Sequence, residues 1–303
     1  MSGASQIQAG EQDPLAFTKM AGAGNDFVVI DNRSGRLGDV RDVTRRLCTR
    51  RLSAGADGLI LIEPSGRATF RMRYYNADGS LGEFCGNGTR CAARFATLRG
   101  IAGESMTIET DAGIVTASIG ADGRVTISLP PPQSYRAQRP LTVGPETIEG
   151  ISIVVGVPHY VTFVDDDLWD HPVERIGRAI RQHAEMQPAG TNVNFVSVRD
   201  ERSIEVRTYE RGVEAETLAC GSGVVASVAA GVLSGRVRPP VSVLTRSGIH
   251  LDVAMENSGG ELREIRLTGD ARVIYEAAIL PETLEGFDPD FVREPAASRV
   301  LAP

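Results

Sequence analysis

A chain of 303 residues that is 42% hydrophobic can build one large or two medium domains with a full core. Its net charge of −7, with arginines spread along the chain, excludes a basic nucleic-acid-binding patch. No run approaches the length of about 18 apolar residues that a membrane-spanning helix needs, and four cysteines do not make a disulfide scaffold.

Residues 1–14 are polar, lack the basic and apolar regions of a signal peptide, and read as a disordered tail. The setting implied is a reducing cytoplasm, where thiols stay free. Phe17–Met20 reads as a strand, Gly22–Asp26 as a turn and Phe27–Asp31 as a second strand. Val40, Val43 and Leu47 recur at helical spacing, with Arg50 and Arg51 favouring the C-terminal end. Strands follow at Leu59–Ile62 and Phe70–Tyr75. Then comes Asn76-Ala-Asp-Gly-Ser-Leu-Gly-Glu-Phe-Cys-Gly-Asn-Gly-Thr-Arg-Cys91, whose Cys85-Gly86-Asn87-Gly88 precedes a small-residue helix predicted over Thr89–Leu98. Strands at Met106–Glu109, Val115–Ile119 and Val125–Leu129 close this half, and Pro130-Pro-Pro-Gln-Ser-Tyr135 reads as a linker.

The second half repeats the plan. Ile151–Val155 is a predicted strand, Gly156–His159 a turn and Tyr160–Asp165 a strand. Gly156, His159 and Asp165 each stand 134 residues after Gly22, Asn25 and Asp31. Val173, Ile176 and Ile180 sit at helical spacing after a capping Asp170-His-Pro. Strands at Asn194–Val198 and Ile204–Tyr209 lead to Ala219-Cys220-Gly221-Ser222-Gly223, 135 residues after the first Cys motif, and to a helix predicted over Val224–Leu233. Val241–Leu244, Ile249–Val253 and Ile265–Leu267 are the closing strands, and Val273–Ile279 reads as a segment that crosses back to the first half. The expected organisation is therefore α+β in two pseudo-symmetric domains. The N-terminal domain covers 15–131, with 272–280 returning to it; the C-terminal domain covers 132–271; and 281–303 is a tail rich in Pro and charge.

A lone Cys before a helix is more often a small core residue than a reactive one, and Cys48 and Cys91 are read so. Two at equivalent points of a repeat are harder to dismiss. No CxxC or HxxxH spacing supports a zinc site. A helix N-terminus offers unsatisfied N–H donors and partial positive charge, which lower a thiol pKa and cradle an anion. Related domains usually bury a ligand between them, so pseudo-twofold symmetry would set Cys85 and Cys220 across one cleft. One thiolate could then take a proton from one face of a carbon while the other thiol returns a proton to the opposite face. Two helix N-termini aimed at an α-carboxylate would stabilise the carbanion, so neither a pyridoxal group nor a metal is expected as cofactor.

At these residues the chain resembles the diaminopimelate epimerase family, the cofactor-independent amino-acid epimerases. The resemblance is carried by Phe17–Asp31, Ser53–Ile60, Met72–Cys91, Pro158-His159, Thr191–Val196 and Tyr209–Gly223, and runs from about residue 15 to 280. It implies a fold with a mixed sheet wrapped around a central helix in each half. It also implies a small amino-acid substrate, no nucleic-acid or membrane partner, a homodimer, and a place in lysine and cell-wall precursor synthesis. Residue by residue, Cys85 and Cys220 match the catalytic bases, with His159 and Glu210 tuning their protonation. Gly86, Asn87, Gly221 and Ser222 match the groups that hold the α-carboxylate. Asn25, Asn76, Asn192, Glu210 and Arg211 match groups that grip the rest of the substrate. On chemistry alone, Arg211 offers a planar fork for a carboxylate and Asn both donor and acceptor, although exposed turns use the same residue types.

The sequence departs from the family pattern at Ala21, where a His is usual, at Val157 for Asn, and at Gly190 for Arg. A further residue stands within Val213-Glu-Ala215, beside the second Cys motif. These departures keep open a racemase or epimerase of another amino acid, alongside a non-catalytic amino-acid-binding relative. A double-bond isomerase of the same fold, which uses a carboxylate, fits the paired cysteines poorly.

Overall fold

The computed structural model describes residues 14–82, 84–137, 140–165 and 167–291; residues 1–13 of the predicted 1–14 tail and the end of the predicted C-terminal tail lie outside them. The fold is α+β in two halves, a mixed sheet with few helices. Among the described residues no helix is long and apolar enough to cross a membrane.

In the first half Leu15–Gly22 and Asn25–Asp31 form an antiparallel hairpin. Asn25–Asp31 runs parallel to Gly58–Glu63, which pairs antiparallel with Phe70–Asn76. Phe70–Asn76 runs parallel to Ser105–Thr110, and a meander follows through Gly113–Ile119 and Val125–Leu129. The second half repeats this plan. Val157–Phe163 runs parallel to Asn192–Asp200, Asn192–Asp200 antiparallel to Ser203–Glu210, and Ser203–Glu210 parallel to Val241–Thr245. Arg272–Ile279 returns to pair with Leu15–Gly22. The halves are joined by a ladder in which Ile265–Gly269 lies antiparallel to Val125–Leu129.

The continuous apolar runs of the strands are explained by cover on both faces. Val29, Ile60 and Ile62 point toward the central helix α2 (Gly86–Leu98), whose Cys91, Ala92, Ala93 and Ala96 are fully buried. Their neighbours Val28, Ile30, Leu59 and Leu61 point the other way, onto Val43 and Leu47 of α1 (Val40–Cys48). In the second half α3 (Val173–Gln182) packs Val173, Ile176 and Ile180 over Val193, Phe195 and Tyr209. The other central helix, α4 (Gly221–Leu233), is apolar on almost every face and buried accordingly, from Gly223 to Val232.

Several local expectations are corrected. α2 and α4 begin three residues earlier than predicted, so the glycines after each Cys lie in the first turn and the Cys itself is the N-cap. Asp170 does not cap α3. The helix starts after Pro172, which makes no side-chain cap because its ring carries no hydrogen-bond acceptor. α1 ends at Cys48, so Arg45 and Arg46, rather than Arg50 and Arg51, occupy its last turn. Gly156 alone, at φ 69°, makes the second hairpin turn, and Val157–His159 already belong to the strand. Within the predicted linker, Gln133–Ala137 is a strand on the edge of Ile151–Val155. The first residues of the predicted C-terminal tail lie at the surface. Residues 281–291 pack on α1, where Arg46 donates to the carbonyls of Leu284 (3.1 Å) and Phe287 (2.8 Å).

Candidate active site between the halves

A cavity of about 1030 Å³ lies between the two halves. Asn25, Tyr74, Asn76, Phe84 and Cys85–Asn87 line it from one side, and Glu210–Gly212 with Leu218–Ser222 from the other. It takes in Asn25, Asn76, Cys85, Gly86, Asn87, Glu210, Arg211, Cys220, Gly221 and Ser222 of the sequence-predicted set. His159 and Asn192 are not on its wall.

Both sulfurs sit at helix starts. Cys85 has extended backbone (φ −143°), its carbonyl accepts from Thr89 N (2.8 Å), and its Sγ accepts from Gly88 N at 3.4 Å. Cys220 is the corresponding N-cap (φ −107°), with its Sγ 3.5 Å from Ser222 Oγ. The first-turn glycine of α4 has a steric cause, because a Cβ on Gly223 would stand 2.3 Å from Asn194 Oδ1. The two Cys loops are tied together directly. Asn87 Nδ2 donates to the Ala219 carbonyl (3.3 Å), while Asn87 Oδ1 accepts from the fully buried Arg90 (2.8 Å), and Arg90 Nε reaches the Asp270 carbonyl (3.2 Å).

The thiols do not have the lowered pKa expected from their position. Burial comes first and pushes Cys85 up to about 11, against the Gly88 N–H, which pulls down. Burial and then the neighbouring Glu210 carboxylate push Cys220 up to about 12. Desolvation therefore outweighs the helix termini at both sulfurs. Burial also raises the Glu210 carboxyl, with the nearby Thr217 hydroxyl pulling the other way.

His159 is buried with its Nδ1 3.2 Å from Asn194 Nδ2, and its Nε2 has no partner. Burial, and then Arg211, depress its pKa to about 3, so it is a neutral imidazole at pH 7. Asn192 serves the loop rather than the cavity, its Oδ1 accepting from Arg211 N (2.8 Å), while Arg211 Nη1 donates to the Ala189 carbonyl (2.7 Å). The departing residues Ala21, Val157 and Gly190 are likewise off the wall. Space at Gly190 is taken by the Arg181 guanidinium of α3, which would lie 2.1 Å from a Cβ there. Arg181 also pairs with Glu214 (3.1 Å), and Glu214 accepts from Gly212 N (3.1 Å) and Tyr209 OH (3.4 Å). The longer loop is thus clamped behind Glu210.

Sequence reasoning missed Tyr74, Arg50, Asp57, Thr217 and the C-terminal Pro289 and Asp290, all on the wall. Asp57 lies within the quoted Ser53–Ile60 stretch, and that was its only signal; the approach of residues 289–290 comes from tertiary packing alone. Among the described residues no group of three or more His, Cys, Asp or Glu side chains is arranged to hold a metal.

A sequence profile of the family described as diaminopimelate epimerase matches residues 17–134 and 151–274. The chain is similar to the diaminopimelate epimerase of Aquifex aeolicus, with 44% identity across 89% of this chain and 100% of that one. It is similar to that of a Hydrogenobaculum species at 41% identity, over 88% and 98% respectively. Among solved structures, a phenazine biosynthesis protein of the PhzF family from Bacillus anthracis superposes with TM-score 0.68 at 16% identity, over 89% of this chain and 100% of that one, which speaks to the fold.

Proposed function

Since this chain belongs to the diaminopimelate epimerase family, we propose that Cys85 and Cys220 perform its inversion as a pair of opposed bases. The enzyme is an isomerase that interconverts LL- and meso-diaminopimelate. The observation that carries the two-base reading is the pair of cysteine N-caps facing one cavity from different halves.

The substrate α-carboxylate lies between the starts of α2 and α4, where the free N–H groups and the side chains of Asn87 and Ser222 hold it. One sulfur, as thiolate, takes the α-proton. The electron pair left on carbon is delocalised into the carboxylate and stabilised by both helix termini. The opposite thiol delivers its proton to the other face and ends as the thiolate. The two sulfurs exchange protonation states in each turnover, so the reverse reaction uses the same pair with the roles reversed. This chemistry calls on no pyridoxal or metal.

Because burial keeps both thiols protonated at rest, one proton must leave the pair before turnover. Glu210, which acts electrostatically on both sulfurs and has its own carboxyl raised, is the acceptor we assign. His159 supports from behind the wall, through Asn194. Asn25, Asn76 and Arg211 face the remainder of the substrate, whose far end carries a second ammonium and carboxylate. The free thiols and acidic charge fit an enzyme of the cytoplasm, and a homodimer is the assembly the family resemblance implies.

The test is proton NMR of LL-diaminopimelate with the purified protein in D₂O. Loss of the α-proton signal together with appearance of the meso form is expected. Wild-type rates of that exchange in Cys85→Ala or Cys220→Ala would overturn the assignment of the bases.

A further inference from the structure

Asn25 makes two contacts that a simple substrate-gripping role does not explain. Its Nδ2 donates to Asp57 Oδ2 at 2.6 Å, and its Oδ1 lies 3.7 Å from Cys85 Sγ as acceptor of the thiol proton. An amide side chain can be turned either way, presenting N–H₂ or C=O to a neighbour. Here the choice is made by Asp57, because a carboxylate only accepts. Asp57 is itself fixed. Its Oδ2 also accepts from Asp26 N (3.1 Å), its own N–H donates to Asp26 Oδ1 (3.1 Å), and Arg50 Nη2 spans both carboxylates at 2.7 Å. Lys19 closes the far side of the cluster on Asp26 (2.8 Å).

We infer that Asp57 is a positioning residue for Cys85. Through Asn25 it aims a hydrogen-bond acceptor at the sulfur and so favours the protonated thiol at Cys85. The inference rests on the two-base reading but concerns only one sulfur. Among the described residues no acceptor amide is aimed at Cys220; its side-chain partner is the Ser222 hydroxyl, which can donate as well as accept. The resting pair is therefore asymmetric, with the proton more firmly held on Cys85 than the helix terminus alone would allow. Other charged or titratable groups act on this sulfur too: Glu210 and Arg90, Tyr74 on the same wall, Cys91 along α2 and Cys220 across the cavity. None of these touches the Asn25 amide in the hydrogen bonds described, so its orientation can be changed separately.

The test is iodoacetamide labelling of the full-length protein at pH 8, read per cysteine by peptide mass spectrometry, so no turnover is needed. In Asp57→Asn the carboxylate no longer dictates the amide, Asn25 is free to present N–H₂ to the sulfur, and the thiolate gains. One neutral hydrogen bond reversed in this way corresponds to roughly fivefold faster labelling of Cys85, with Cys220 unchanged. In an Asn25→Ala background the Asp57→Asn change should have no further effect on Cys85. If Asp57→Asn does not fold, Asn25→Ala alone still decides, since it must accelerate Cys85 and spare Cys220. Unchanged Cys85 labelling, equal changes at both cysteines, or an Asp57 effect that persists without Asn25 would each overturn the inference. Failure of the two-base reading would appear elsewhere, as inversion that survives loss of Cys85.

Discussion

Arg207 is the side chain whose removal should be felt most in the second half. It is 7% exposed and makes five hydrogen bonds. Two go to Glu216, 2.7 Å each, and three from Nη1 to the carbonyls of Leu168 (2.8 Å), Trp169 (3.0 Å) and His171 (2.9 Å). Arg207→Met keeps much of the volume but strands Glu216, whose side chain is 9% exposed and whose other cationic neighbour, Arg246, lies 3.6 Å away and is partly solvated. Breaking a buried pair by removing one partner costs about 3–5 kcal/mol. Removing both charges costs less, because no ion is left in the interior. Arg207→Met should therefore lose about 3–5 kcal/mol in urea unfolding at unchanged m-value, and Arg207→Met with Glu216→Gln should recover about half. Glu216 lies four residues before Cys220 in the strand Ala215–Thr217, so kcat/KM should fall with the single change and partly return with the double. A single variant within about 1 kcal/mol of wild type, or a double variant worse than the sum of the two single changes, would refute the account of Arg207 as the anchor of the second Cys motif.

Three further outcomes follow from the site. Mild oxidant should inactivate the enzyme and reductant restore it, as Cys85 and Cys220 join across the cavity; mass spectrometry that finds the two never linked would contradict their facing one another. With the thiols pushed up to about 11 and about 12, the thiolate fraction grows with pH, so kcat/KM should climb through pH 7–9, and a profile falling over that range would be the wrong sign. His159 carries a folded pKa of about 3 against 6.5 unfolded, so the unfolded state binds the extra proton. Stability is then fully present above about pH 6.5 and lost as pH falls below it, at up to about 1.4 kcal/mol per pH unit; His159→Gln should flatten that dependence in urea titrations across pH 4.5–7.

The sequence carried the strands and both central helices because apolar runs such as Phe27–Ile30 and Leu59–Ile62 have no polar face to solvate, and a duplicated Cys-Gly pattern marks the same local event twice. Helix starts differ from the expectation because Gly suggests a loop, whereas here Gly86 and Gly221 are the first helical residues, and the close approach that requires a glycine falls at Gly223. Most of the cavity wall was legible as motif residues. That His159 and Asn192 stand off the wall was not legible, since a strand's pattern does not say whether its end faces a cavity or lies behind it. Nor could local sequence reveal Asp290 on the wall, because Arg45 on α1 holds it there across more than two hundred residues of chain.

The ladder between Val125–Leu129 and Ile265–Gly269 makes the two halves leaves of one binding, joined along a spine. Across the cavity the same leaves meet again, where Leu218 lies against Gly24 and Asn87 donates to the Ala219 carbonyl. The two sulfurs thus sit between a spine of backbone bonds and a second seam of side-chain contacts, and their separation belongs to the whole binding rather than to either leaf.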